Sequence, residues 1–302
     1  MKTTGLLAMA GLLVMLAGCG DQRQAAPKVA YADRPPVQER VYVFAIHPLY
    51  SPGRLFEKFT PIIDYLNQQF DGFSLRLEAS RDYPAYDRKI RSQRPDFLLP
   101  NPFQTLIGQR HGYRVIGKVD DDRDFRGIIL VRREDGIRRV KDLKGGTVAA
   151  PGPTALAATM MPKYFLHTHG IDVRRDVKYL YTGTQESTIM ALALGNARAA
   201  TTWPIPWRLF QQARPEIARR LKVAWRTESL PSNSVMVHDR VPQEVARQVM
   251  DALVAMKQTA EGRRLLQEST FTGFVRADDA AYAPVRAFIE NYSRTVEPVR
   301  IE

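Results

Sequence analysis

One cysteine, Cys19, stands in the 302 residues. No disulfide can form within the chain, so stability has to come from a packed core. No uncharged apolar run reaches the roughly 20 residues that a membrane-spanning helix needs. The nucleophile elbow Gly-x-Ser-x-Gly, the phosphate loop Gly-x-x-x-x-Gly-Lys-Ser/Thr and the zinc motif His-Glu-x-x-His are all missing. His167 and His169 are two positions apart and would not share a helix face, which argues against a metal site built on them. No catalytic group, metal or cofactor is expected, and the chain reads as a non-enzyme.

What is present begins with an export signal. Lys2 precedes an apolar stretch over residues 6–16, too short to span a bilayer. Its charged, apolar, then small-residue layout is that of a secretory signal peptide, residues 1–18. Leu16-Ala17-Gly18-Cys19 resembles a bacterial lipobox, which would make Cys19 the site of lipid attachment; the alternative is an ordinary signal peptide with a chance cysteine. Two or more acyl chains hold a protein stably where one does not. The expected location is the cell envelope, on the periplasmic side of a bacterial membrane. Residues 19–40 are poor in large apolar side chains and carry Pro27, Pro35 and Pro36. They read as a lipidated tether, with a coil span of about 25 Å.

Loss of Lys2 with the signal leaves a mature chain near +11. An exported protein rarely meets nucleic acid, so none is expected as a partner. The densest basic stretch, from Arg132 to Lys144, reads as a solvated face. Steering of an anionic ligand and adhesion to anionic lipid heads are its two functional readings.

Beyond the tether, short apolar runs alternate with amphipathic helical patterns. Residues 41–46 predict a first strand, and Leu55, Phe56, Phe59, Ile62, Ile63 and Leu66 a helix after it. Strands are predicted at 73–77, 97–99, 115–119, 127–131, 147–150, 177–181, 199–202, 222–225 and 234–237. A helix is expected from about Thr154 to Thr168, another over 185–194, and a helical tail after Pro242. Trp203-Pro204-Ile205-Pro206-Trp207 reads as a proline-rich turn. Such alternation argues for an α/β fold with mostly parallel sheets and helices on both faces.

Several segments in this order carry a resemblance. They include Val43-Phe44-Ala45-Ile46-His47-Pro48, Asp96-Phe97-Leu98-Leu99-Pro100-Asn101-Pro102-Phe103-Gln104, Lys141-Asp142-Leu143-Lys144-Gly145-Gly146, Pro153-Thr154-Ala155-Leu156 and Gly183-Thr184-Gln185-Glu186-Ser187. From about residue 41 to 292 the chain resembles the phosphate/phosphite/phosphonate-binding family of periplasmic substrate-binding proteins, the solute receptors of ABC importers. The resemblance implies a two-lobed, type II binding-protein fold with two crossover strands. Lobe one would be 41–125 plus 230–302, and lobe two 126–229, with a small anionic ligand held between them. It implies an ABC permease as partner; a membrane sensor protein is the alternative, since both would read the closed cleft.

The same resemblance shows departures. Members that bind aminoalkyl phosphonates carry a hydroxyl run after the proline that here is Pro153; this chain has Ala155, Leu156 and Ala157 there. Gln185 stands in the place of a histidine, and Arg198 in the place of an acid. A primary amine on the ligand would lack its carboxylate partner. Helix starts and strand ends supply the candidate ligand-binding residues: Tyr50, Asn101, Gln104, Thr154, Thr184, Gln185, Ser187 and Trp203. Thr154 could equally cap a helix. Trp203 could equally pack in the core or hinge.

Overall fold

A computed structural model describes residues 39–301. The expected signal peptide, Cys19 and nearly all of the expected tether lie outside those residues. Within them the order is β1 (Arg40–Ile46), α1 (Pro52–Asn67), β2 (Phe73–Glu78), α2 (Tyr83–Arg91), β3 (Phe97–Leu99), α3 (Pro102–Gln109) and β4 (Tyr113–Val119). Next come β5 (Arg126–Arg132), β6 (Thr147–Ala150), a π-helical turn at Leu156–Met160 running into α4 (Met161–Thr168), β7 (Lys178–Tyr181), α5 (Gln185–Ala193) and β8 (Ala199–Thr202). The chain continues through α6 (Pro204–Ala213), α7 (Pro215–Arg219), β9 (Leu221–Ser229), β10 (Ser234–His238), α8 (Gln243–Ala255), α9 (Ala260–Ser269), β11 (Phe274–Arg276) and α10 (Ala283–Thr295).

Two sheets result. The first has the order β11-β4-β10-β3-β1-β2, and the second β7-β6-β8-β5-β9. The expected α/β class with two lobes is what the chain forms, but the sheets are mixed. Parallel pairing joins β1 to β2 and β3, and β6 to β7 and β8. The strands that enter a sheet from the other lobe, β5 and β10, run antiparallel to their neighbours. This has a simple cause: they start at the cleft, where β1, β3, β6 and β8 end.

The core of the first lobe follows from its alternation. Phe44 pairs with Leu77 on one side and Phe97 on the other, and the Phe44 and Phe97 rings stack at 5.9 Å. Each such side chain contributes about 1.5–3 kcal/mol by leaving water. Helix α1 starts with Pro52 in its first turn and buries Leu55, Phe59, Ile62, Ile63 and Leu66 against this sheet. Phe56, expected on the same face, is exposed instead.

Two corrections concern helix starts. Trp203–Trp207 is not a turn: Trp203 is the residue before α6, and the prolines at 204 and 206 occupy its first turn. A first-turn proline gives up an N–H that would have no helical partner anyway. The helix expected from Thr154 begins two residues later and with a π turn, in which the Met161 N–H reaches back to the Leu156 carbonyl. Pro162 has no N–H to offer the Ala158 carbonyl, so the ordinary spacing cannot propagate through it. Across from this turn lies Gly127 on β5. A Cβ there would sit 2.6 Å from the Ala157 carbonyl, so only glycine lets strand and turn approach this closely.

Segments 120–125 and 230–233 carry the chain between the two sheets. They are bonded to one another: the Leu230 N–H donates to the Phe125 carbonyl (3.0 Å) and the Ser232 N–H to Asp122 Oδ1 (2.9 Å). The Val119 N–H donates to the Asn233 carbonyl (2.9 Å), and the Tyr282 hydroxyl to the Ser232 carbonyl (2.6 Å). No helix among the described residues is long and apolar enough to cross a membrane.

Candidate functional site

The ends of β1, β3, β6 and β8 converge on a cavity of about 10 Å³ between the two sheets. From the first lobe and the crossovers come His47, Tyr83, Asn101, Phe125 and Asn233; from the second come 155–158, Gln185 and Trp203. None of these side chains carries a full charge at neutral pH. Positive potential comes instead from backbone. The N–H groups of Leu156, Ala157 and Ala158 open a helix and find no acceptor among the described residues. Free N–H groups with a helix dipole behind them suit an anion.

Two buried polar side chains face this start. Asn233 is 1% exposed, and neither atom of its amide has a hydrogen-bond partner among the described residues. A buried amide without partners costs on the order of 1–3 kcal/mol. His47 is also buried, and burial pushes its imidazole down to about 4, offset in part by its bond to the Leu99 carbonyl. Nδ1 lies 3.0 Å from that carbonyl, which can only accept, so the proton is on Nδ1 and Nε2 remains an acceptor.

The structure separates the eight residues singled out from sequence. Asn101, Gln185 and Trp203 line the cavity. Asn101 Oδ1 accepts from the N–H groups of Phe103 and Gln104, capping α3, and its Nδ2 donates to the Thr154 carbonyl across the cleft (3.0 Å). Gln185 is fixed at both ends: Oε1 accepts from the Thr202 hydroxyl (2.7 Å) and Nε2 donates to the Tyr83 hydroxyl (3.2 Å). Trp203 packs against Phe125 with ring centres 5.5 Å apart.

Gln104 and Thr154 stand behind the wall. Both donate to Asp87, from Gln104 Nε2 (2.7 Å) and the Thr154 hydroxyl (3.1 Å). Thr154 therefore neither caps a helix nor has its hydroxyl free for a ligand; Asp87 has taken it. Burial holds the Asp87 carboxyl above its ordinary range, against the pull of these two donors. Thr184 caps α5 by accepting from the Ser187 N–H (3.1 Å) and donates to the Ser187 hydroxyl (2.9 Å). Ser187 is exposed, and neither residue lines the cavity. Tyr50 lines a neighbouring chamber instead. Arg198 lies with Gly146 and Asn196 at a surface hollow away from the cleft.

Sequence reasoning missed His47, Tyr83, Phe125 and Asn233. His47 directly follows a predicted strand, which was the available signal. Asn233 lies in a turn-rich stretch and is brought in by the pairing of two crossovers about a hundred residues apart, which no local pattern reports.

Further contacts hold the lobes together around the site. Arg54 pairs with Glu186 (3.2 Å), Lys163 with Glu297 (2.6 Å), and Asn291 donates to the Tyr164 hydroxyl (2.8 Å). Among the described residues no cluster of three or more His, Cys, Asp or Glu could hold a metal ion.

A family model described as the periplasmic substrate-binding protein of phosphonate ABC transporters matches residues 44–282. The chain belongs to this family. Membership makes it a periplasmic solute-binding component of ABC transport. A curated relative, the phosphonates-binding periplasmic protein of Escherichia coli (strain K12), is 19% identical over 260 residues, covering 82% of this chain and 76% of its own length. A binding protein component of an ABC phosphonate transporter from Pseudomonas aeruginosa superposes with a TM-score of 0.78 at 18% identity, over 85% of this chain and 88% of that one. PhnD1 from Prochlorococcus marinus, solved in complex with methylphosphonate, gives 0.77 at 16%, over 86% of this chain and all of that one. At these identities the structural likeness speaks for the fold, a type II periplasmic binding protein.

Proposed function

We propose that this family member captures a small oxyanion of the phosphite or alkylphosphonate type in the interlobe cavity and presents it to an ABC permease. The observation that carries the reading is the Asn233 amide, buried and unpaired, facing a helix start with three unpaired N–H groups. Burying a charge without partners is costly, so several donors must converge on it. Here they do, and an anion would satisfy them all. No carboxylate lines the cavity to receive a ligand amine. Relatives that are components of phosphonate transport support a permease as the partner, and the sensory alternative has no observation in its favour.

In this reading the lobes are 41–125 with 230–302 and 126–229, and the crossovers act as the hinge that closes them. A cavity of about 10 Å³ holds at most one water-sized group, so the lobes must stand further apart than here both to admit the oxyanion and to hold it. Calorimetric titration with phosphite, methylphosphonate and phosphate tests the function. At least one should bind at a single site. Asn233→Leu should weaken it about ten- to a hundredfold, the loss of a hydrogen bond to a charged group. The empty variant should melt no lower than wild type, since the amide it loses is unpaired. Absence of heat with all three anions would contradict the reading.

The receptor works, we infer, while tethered through lipid on Cys19. Cys19→Ser should leave either unprocessed precursor or protein lost from the membrane fraction. A cleaved variant that still fractionates with membranes would rule the lipid anchor out.

A further inference from the structure

Two groups at the oxyanion cavity accept hydrogen bonds, which a fully ionised anion cannot supply. The first is His47. Its Nδ1 carries the proton, because the Leu99 carbonyl 3.0 Å away can only accept. That leaves a lone pair on Nε2, and this atom has no partner among the described residues. The second is Asn233 Oδ1, buried and likewise unpaired. Either orientation of that amide leaves an acceptor unsatisfied, since neither end has a partner.

Donor and acceptor come from different lobes. Leu156, Ala157 and Ala158 present their N–H groups from the second lobe. His47 follows β1 in the first, and its bond to Leu99 at the end of β3 lies within that lobe. The tautomer therefore survives when the lobes part to admit a ligand. The imidazole is neutral, since burial draws its pKa down to about 4. None of the side chains lining the cavity is charged. The ionisable groups beside His47 are Tyr83 on α2, with its ring centre 6.4 Å from that of His47, and Asp87 one turn further on. Burial raises the Tyr83 hydroxyl above its ordinary range, and Asp87 already accepts from Gln104 and Thr154.

An oxyanion without a proton would set its own lone pairs against Nε2 and Asn233 Oδ1. Satisfying Nε2 takes an O–H on the ligand, or a proton drawn from solvent onto an imidazole that resists it. Resting on the oxyanion reading above, we infer that His47 selects the protonation state of the ligand: Nε2 accepts the one acid O–H of a monoprotonated oxyanion whose other oxygens lie on the helix start. One proton is then held between ligand and imidazole in the complex. The methylphosphonate monoanion and methanesulfonate have the same charge and nearly the same shape, and differ by that proton.

Calorimetric titration of the full chain with these two compounds, from about pH 5 to about pH 9, tests the inference. Near neutral pH methanesulfonate should bind at least about a hundredfold more weakly, because it leaves a buried acceptor unpaired. Above the second ionisation of methylphosphonate its affinity should fall about tenfold per pH unit, with about one proton taken up on binding. Methanesulfonate should gain on acidification across the whole range, as Nε2 takes its proton from solvent. His47→Phe should shrink the phosphonate-to-sulfonate ratio at least about tenfold. Asp121→Asn removes the buried acid raised to about 6 in the crossover and should leave ratio and slope unchanged. Equal binding of the two compounds, methylphosphonate binding without proton uptake, or an unchanged ratio in His47→Phe would each overturn the role of His47 while leaving oxyanion capture intact. Failure of methylphosphonate, phosphite and phosphate alike would sink the parent reading, and this one with it.

Discussion

Asp121→Asn is expected to raise the melting temperature by about 5–10 °C at about pH 7.5, and to do little at about pH 4. Asp121 lies in the outgoing crossover, 7% exposed, and neither of its carboxylate oxygens has a hydrogen-bond partner among the described residues. Ser232 on the returning crossover faces it without sound hydrogen-bond geometry. Burial pushes this carboxyl up to about 6, with Asp124 and Asp122 adding to the rise and Ser232 and Arg208 opposing it. A folded-state value above the ordinary 3.8 means that the protonated acid is the stable one inside. Its stabilisation is complete below about 3.8 and is lost as pH rises through about 6, at a cost of about 3 kcal/mol. Asparagine keeps the shape and never charges.

His47 acts in the opposite sense. Its folded-state value of about 4 lies below the ordinary 6.5, so its stabilisation is present above 6.5 and is lost as pH falls through about 4. Between about pH 4 and 6 the two slopes, each about 3 kcal/mol in total, oppose one another. Wild type should therefore show a shallow profile of stability against pH in that window. Asp121→Asn should expose a fall on acidification, and His47→Gln a fall on raising the pH. Thermal melts from about pH 4 to pH 8 decide it. If Asp121→Asn tracks wild type throughout, the buried acid is not the group that titrates.

Lys163→Met should cost about 3 kcal/mol, and adding Glu297→Gln should recover most of the loss. Lys163 is 4% exposed on α4, with Nζ 2.6 Å from Glu297 Oε1 and 4.5 Å from the centre of the Tyr179 ring. The same Glu297 oxygen accepts from the Tyr292 hydroxyl at 2.6 Å. Removing only the lysine leaves a half-buried carboxylate without its cation, which is the expensive half of breaking such a pair. A third of the Glu297 side chain is exposed, so the cost falls at the low end of the range for buried pairs. Asn291 and Phe288 meet Tyr164 beside it, so this cluster binds the tail of the first lobe to α4 of the second. Denaturant unfolding of both singles and the double measures the coupling. Equal stability of Lys163→Met and wild type would show that the pair holds nothing.

Periodicity made the strand–helix order readable, and with it the strand ends that carry Asn101, Gln185 and Trp203 to the cavity. It could not report direction: β5 and β10 look like any apolar strand, and only the crossing between sheets turns them antiparallel. Prolines misled twice. At 204 and 206 they mark a helix start, not a turn, while Pro162 forces the π turn that moves the helix start away from Thr154. The Asp87 network that holds Thr154 and Gln104 joins residues up to 67 positions apart, and nothing local announces it. Asn233 is the plainest case: polar, in a turn, and buried only because two distant crossovers pair.

The amide nitrogens of Leu156, Ala157 and Ala158 give the most direct test of the oxyanion site. Their resonances should be followed by ¹⁵N-resolved NMR while methylphosphonate is titrated into the protein. If the anion sits on this helix start, these amides and the Asn233 side-chain amide shift together and saturate together. Saturable binding that leaves all four unmoved would place the ligand elsewhere and contradict the account.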